Sequence, residues 1–305
     1  MLVKFAFQDF LDEKEFRNLS DKTISGYKVL FKEFNNFVTE QGIVDVTDIT
    51  QSTVKGYLVY CRKERRNNPV SVNTKLKNLK AFFNHLQEQE YIEKNPCVKI
   101  QYLETDTQIE VFTDSQIRQM LNYYRRQKNS DRQFAAYRNH TIIIVLLGTG
   151  IRRGELCNLK WSDIDMLEKL MQVYGKSRRQ ETIPITSKVV QELLEYRLYL
   201  DSHFEELNEY VFINRYNRHL TENAVNNIFQ RLAKKMNFSN VRLSAHTFRH
   251  TFAQKFLLNG GDVFSLQKIL RHKKLSMTEK YLALWGQQLS AQNDKYNPLN
   301  GFDDF

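Results

Sequence analysis

The sequence predicts a mainly α-helical protein in two parts, the second of which carries a small antiparallel β-sheet. Three observations predict it. Only 11 Gly and 4 Pro occur in 305 residues, which favours long uninterrupted helices. Apolar residues recur at three- and four-residue spacing through most of the chain, and the pattern gives way once to two short runs around a glycine. Charge also divides the chain. Residues 1–110 hold 16 Lys+Arg against 16 Asp+Glu, so the formal net charge of +10 sits entirely in the remainder.

In LSDKTISGYKVLFKEFNNFVTEQG, Ser20 or Asp21 caps a helix that presents Ile24, Tyr27, Leu30, Phe31, Phe34, Phe37 and Val38 on one face, and Gly42 closes it. VTDITQSTVKGYLVYCRKER repeats this logic, with Thr50 or Ser52 as cap. VSVNTKLKNLKAFFNHLQEQEYI lines up Leu76, Leu79, Phe82, Phe83 and Leu86, and Asn95-Pro96 is expected to end it. VKIQYLETDTQIEVFTD lacks periodicity and reads as a linker, which gives domains at 1–107 and 108–305. Thr113 then caps TDSQIRQMLNYY, and RNHTIIIVLLGTG reads as a buried helix ending at Gly148 or Gly150. IRRGELCNLKWSDIDM passes from helix to short strand, and KLMQVYGKSRRQETIPIT forms two strands around Gly175. The remaining helices fall in SKVVQELLEYRLYLDSHF, TENAVNNIFQRLAKKM, SAHTFRHTFAQKFLLNG, DVFSLQKILRHKK and MTEKYLALWGQQL.

Composition excludes several classes. Cys61, Cys97 and Cys157 are far apart and form no CxxC pair, so neither a disulfide framework nor a zinc knuckle is indicated. The longest apolar run, TIIIVLLGTGI, is too short to span a bilayer, and MLVKFAFQDF has no signal-peptide pattern. The chain reads as cytoplasmic. A sequence pI near 9.3 favours a polyanionic partner such as DNA or RNA. Within the neutral half, Arg62, Lys63, Arg65, Arg66, Lys75, Lys77 and Lys80 face Glu64 alone, and they could contact phosphates or form a solvated face.

Five stretches could carry chemistry. Arg152 in TGIRRGEL follows a glycine turn at a helix start, where its fork of donors can hold two phosphate oxygens. It could equally be a surface residue or pair with Glu155, and Arg153 leaves open which cation points inward. Lys176 shares a turn with Arg178 and Arg179, where it could deliver a proton or be ordinary turn chemistry. His246, Arg249 and His250 lie three and four apart, on one helical face. HTFRH lacks the glutamate of a zinc HExxH, so no metal is expected; Phe248, Phe252 and Phe256 read as core. His272 and Tyr281 complete the set, although a lone tyrosine among 15 is usually packing.

Taken in order, TGIRRGEL, AHTFRHTFA and LRHKKLSMTEKYL resemble the three boxes of the tyrosine recombinase (phage integrase) family, including its nine-residue step from the last histidine to the tyrosine. The likeness covers most of residues 113–285. It extends more loosely to the helical first half, which resembles the family's SAM-like core-binding domain. The resemblance implies a Xer/Cre-like site-specific recombinase that cuts and rejoins DNA through a 3′-phosphotyrosyl intermediate, without metal, ATP or other cofactor. By motif, Arg152 and Arg249 would clamp the scissile phosphate and Lys176 would protonate the leaving 5′-oxygen. His246 and His272 would complete the pocket, and Tyr281 would be the nucleophile. Glu155 and His250 would support them, His250 structurally and not chemically. Arg271 departs from the pattern, standing where the family usually has glycine, and Arg153 replaces an apolar or small residue.

The resemblance also implies double-stranded DNA sites as partners, a homotetramer on synapsed DNA and, potentially, accessory proteins. It includes no separate arm-site domain before the first helices. The 20-residue tail from Gly286 either docks on a neighbouring protomer, the expectation adopted, or is a disordered terminus. Three other functions stay open on sequence: a catalytically silent DNA-binding regulator of the same fold, a nuclease using Asp163 and Asp165, and a type IB topoisomerase-like enzyme.

Overall fold

The computed structural model describes residues 1–105, 109–130, 133–174, 180–282 and 293. Its chain divides into two compact units, residues 1–107 and 108–305.

The first unit is a cluster of four helices, α1 (Val3–Phe16), α2 (Asp21–Glu40), α3 (Gln51–Lys63) and α4 (Pro69–Glu88). Side-chain oxygens begin two of them. Thr50 accepts from the Thr53 amide in a reciprocal capping box, and Asn68 accepts from Ser71 with Pro69 in the first turn of α4. The sequence reading passes over α1, yet Val3, Ala6, Phe7, Phe10 and Leu11 form a buried face at helical spacing. The core is phenylalanine. Phe7 stacks on Phe31 with centroids 4.2 Å apart, and Phe34, Phe82 and Phe83 are fully buried around them. Each such ring contributes about 1.5–3 kcal/mol by leaving water.

One boundary differs from expectation. α4 ends at Glu88 and not at Asn95-Pro96, because Glu90 takes a left-handed φ of 60° and the Tyr91 amide returns to the Leu86 carbonyl. Asn95 instead buckles the following segment onto α4. Its Nδ2 donates to Asn84 Oδ1 at 2.6 Å, and its Oδ1 accepts from the Cys97 amide at 2.7 Å.

The second unit is built on α5 (Asp114–Gln127), α6 (Gln133–Thr149), α7 (Arg153–Asn158), α8 (Ser187–Asp201), α9 (Glu222–Met236), α10 (Ala245–Leu258), α11 (Val263–Leu270) and α12 (Ser276–Glu279). A three-stranded antiparallel sheet, β1 (Ile164–Asp165), β2 (Leu170–Tyr174) and β3 (Gln180–Pro184), runs in sequence order with Met171 opposite Ile183. The second half of helix α6 is apolar all round, with Ile142 to Leu146 buried, as befits a helix at the centre of this unit. Thr113 caps α5 as expected, and the structure adds a reciprocal box with Gln116. A smaller apolar cluster of Ala253, Leu257, Leu266, Leu270 and Tyr281 joins α10, α11 and the end of the described chain. No helix among the described residues is long and apolar enough to cross a membrane.

Candidate active site

Four distant segments of the second unit converge: the start of α7, one face of α10, the end of α11 and the turn after α12. Gly150 makes the first approach possible. It takes a φ of +62°, and a Cβ there would lie 2.6 Å from Phe252 and 2.9 Å from Leu270. Its carbonyl accepts from Arg249 Nη1 at 2.6 Å. Ser244 caps α10 through the Thr247 amide, and from that start the helix turns Arg249 inward to only 4% exposure. The other arm of Arg249 donates to the Leu270 carbonyl. Arg152 Nη2 reaches the next carbonyl, that of Arg271, at 3.4 Å. Two guanidiniums are therefore held by consecutive carbonyls at the C-terminal end of α11, where the helix leaves acceptors unpaired and the dipole is negative.

One carboxylate serves this cluster. Glu155 Oε2 accepts from the Arg152 amide at 2.7 Å and from Arg271 Nη2 at 2.5 Å, and Oε1 accepts from Arg152 Nη1 at 2.7 Å. Arg152 thus pairs with Glu155, the alternative anticipated for it, and its side chain stays partly exposed. Arg153 turns the other way, to Glu222 Oε2 and to Asn226 Oδ1, each at 2.5 Å. Arg152 is the inward cation.

Arg271 caps α11 in the left-handed region at φ 55°, a conformation glycine adopts at no steric cost and arginine does not. Its side chain is only 3% exposed. It donates to the Ile269 carbonyl and to Glu155, and Glu181 on β3 lies 3.6 Å from its Nε.

The three histidines differ. His246 keeps much of its surface in solvent at the start of α10, and partial burial of its ring, then Lys280, Arg249 and Arg152 nearby, lowers its pKa. His272 Nδ1 meets Thr278 Oγ1 at 2.8 Å, and burial first, then the arginines, takes it down to about 4. His250 Nδ1 lies 2.7 Å from the Tyr281 hydroxyl. Burial, with His246, Lys280, Arg249 and His272 around it, holds His250 down to about 3. Tyr281 is 1% exposed, its ring parallel to that of His272, and burial pushes its phenol up to about 12 against the opposing pull of Arg249.

Arg152, Glu155, His246, Arg249, His250, His272 and Tyr281 are thus gathered in one place. Lys176, Arg178, Arg179 and nearly all of the tail from Gly286 lie outside the described residues. Two expectations change. His250, read as structural support, contacts the tyrosine hydroxyl directly. Lys75 is turned into the first unit, where it meets Glu33 at 2.5 Å beside Tyr57; Arg62, Lys63, Arg65, Arg66 and Lys77 are exposed, and Lys80 lies over the Tyr102 ring. Thr278 and Lys280 were missed. Lys280 Nζ sits 5.1 Å from the Tyr281 ring centroid, and its place directly before the tyrosine was the available signal. Asp163 and Asp165 are occupied as local caps. The first accepts from the Lys160 amide, the second from those of Leu167 and Glu168.

Residues 110–287 match the model of the phage integrase family, and residues 2–101 match that of the phage integrase SAM-like domain. The chain belongs to the tyrosine recombinase, or phage integrase, family. Its architecture is the two-domain, Xer/Cre-like one. Tyrosine recombinase XerC of Bacillus pumilus (strain SAFR-032) is 30% identical over 283 residues, 87% of each chain. XerC of Listeria innocua serovar 6a is 26% identical over 295 residues, 96% of each. Among solved structures, the Tn1549 transposon integrase in complex with transposon right end DNA superposes with a TM-score of 0.79 at 21% identity, over 97% of this chain and 99% of that one. XerH bound to palindromic difH gives 0.72 at 18%, over 92% and 82%. At those identities the likeness is one of fold. The sequence likeness to XerC is what supports the catalytic mechanism of tyrosine recombinases in this family member.

Proposed function

We propose that this family member is an active site-specific DNA recombinase in which Tyr281 attacks a scissile phosphate to form a 3′-phosphotyrosyl DNA and a free 5′-hydroxyl. The observation that supports this most is the charge balance around the tyrosine. Arg152, Arg249, Arg271 and Lys280 surround a pocket that has Glu155 as its buried carboxylate. Such a site has positive charge to spare for an incoming phosphate. Arg249 is already oriented by two carbonyls and Arg152 by Glu155, so little reorganisation would accompany neutralisation of the nonbridging oxygens. Because the phosphotyrosyl ester conserves the energy of the cut bond, a 5′-hydroxyl from a second duplex can reverse the step without ATP.

By motif, Lys176 would deliver the proton to the leaving oxygen, and His246 and His272 would border the phosphate. The substrate would be two duplex sites held by four copies of the chain, in integration and excision of a mobile element or in resolution of dimers. The sequence likeness to XerC, a tyrosine recombinase, supports the recombinase chemistry common to these uses.

Covalent trapping tests the reading. A pool of nicked duplexes of random core sequence is incubated with the protein in EDTA, adducts are isolated under denaturing conditions, and their DNA is sequenced. Wild type is expected to yield an EDTA-resistant adduct, enriched for one sequence, that Tyr281→Phe does not form. An adduct of equal yield from Tyr281→Phe would overturn the assignment, and no adduct from wild type would favour a catalytically silent regulator.

A further inference from the structure

We propose that His250 is a catalytic residue, the group that holds the Tyr281 hydroxyl and receives its proton as the phenolic oxygen bonds to phosphorus. The inference rests on Tyr281 being the nucleophile. Its own foundation is a division of labour among the three histidines. His272 has its Nδ1 committed to Thr278 Oγ1. His246 contributes an exposed ring packed edge-on against His250, with centroids 4.0 Å apart. His250 is the one whose nitrogen stands 2.7 Å from the tyrosine oxygen, within the range where a proton passes between heavy atoms. It arrives there from α10, one position past the inward-facing Arg249, so the clamp and the acceptor share one rigid element.

The step balances without another reactant. The O–H bond of Tyr281 breaks as the new O–P bond forms, the proton goes to His250 Nδ1, and the P–O5′ bond releases the 5′-oxygen, which takes a proton from a separate donor. In rejoining, the same imidazolium returns the proton to the departing phenol. A neutral imidazole is required at the start, and the groups facing His250 provide for it. His246 and Arg249 from α10, Lys280 beside Tyr281, and His272 after α11 all disfavour a charged ring. The entering phosphate anion offsets those cations. Proton acceptance therefore becomes favourable when substrate is in place.

Two measurements test this. Histidine-selective 15N spectra of the whole protein at neutral pH are expected to show His250 as the Nε2–H tautomer, with an Nδ1 resonance that shifts in Tyr281→Phe. An Nδ1–H tautomer, or an Nδ1 resonance indifferent to that substitution, would overturn the proposal whatever the trapping experiment finds. Single-turnover cleavage of the duplex recovered by trapping gives the second test. His250→Phe is expected to lose about 10²–10⁴-fold in rate while retaining the wild-type thermal midpoint and DNA mobility shift. His250→Asn keeps an acceptor oxygen near the Nδ1 position without a base, and is expected to remain impaired at neutral pH and recover as pH rises. A duplex with sulfur at the bridging 5′ position needs no proton on its leaving group, so it should leave the His250 defect in place. Wild-type cleavage by His250→Asn, or rescue of His250→Phe by the sulfur substrate, would refute proton acceptance. Adduct formation by Tyr281→Phe would instead refute the underlying nucleophile assignment.

Discussion

The two units hold their cations in opposite ways. In the first, a half-buried one is neutralised: Lys75 shares Glu33 with the Tyr57 hydroxyl and the Cys61 thiol, and Arg65 stands 3.9 Å from the same carboxylate. The other cations from Arg62 to Lys80 are mostly exposed. In the second, Arg249 is buried against carbonyl oxygens and has no carboxylate hydrogen-bond partner among the described residues, while Glu155 is divided between two more guanidiniums. Carbonyls orient a guanidinium without cancelling its charge. The comparison separates cations that hold the protein together from cations kept available for an anion.

Glu155 is the sharpest place to break that arrangement. Glu155→Gln would leave Arg152 and Arg271 short of their shared counter-charge, and denaturant unfolding is expected to show a loss of about 3–5 kcal/mol. Lys75→Met is smaller. It strips Glu33 of its cation but leaves two hydrogen-bond donors, so a loss of about 1–3 kcal/mol is expected, with an unchanged salt dependence of DNA binding. Lys77→Ala should do the reverse, leaving unfolding within about 0.5 kcal/mol and lowering the slope of log affinity against log salt by about one. A DNA-binding slope altered by Lys75→Met and untouched by Lys77→Ala would reverse the proposed sorting.

The pocket histidines give the gentlest test. Their folded pKa values lie below the ordinary 6.5, at about 4 for His272 and about 3 for His250. Between those values and 6.5 the unfolded chain binds more protons than the folded one, so stability is highest above 6.5 and falls as pH drops toward 4. The thermal midpoint should decline over that window, and less so in His250→Phe. A midpoint independent of pH there would mean the rings are not held neutral by their surroundings.

Much of this was legible in the sequence, for physical reasons. Thr113 announces α5 because a threonine side chain can accept from the first-turn amides, and the apolar faces of α2 to α4 follow from helix geometry. Arg152, Arg249, His272 and Tyr281 were each ambiguous alone and stood out only through their order in three boxes that resemble those of the family. What escaped was contact over distance. His250 and Tyr281 are 31 positions apart, and no periodicity ties a ring nitrogen to a hydroxyl across that gap. The end of α4 was misplaced because Asn95-Pro96 is a loud signal, whereas the left-handed turn at Glu90 gives none in the residue type.

Arg271 bears on how such a pocket can change over generations. A glycine at that position would relax the backbone turn but abandon half of the ion pairing at Glu155, and a neutral residue at 155 would strand the Arg271 charge in the interior. Each single replacement passes through a protein worse than either end. The two positions are therefore expected to travel together through descent, arginine with its acid, so that a lineage which has taken this route cannot easily retrace it one substitution at a time.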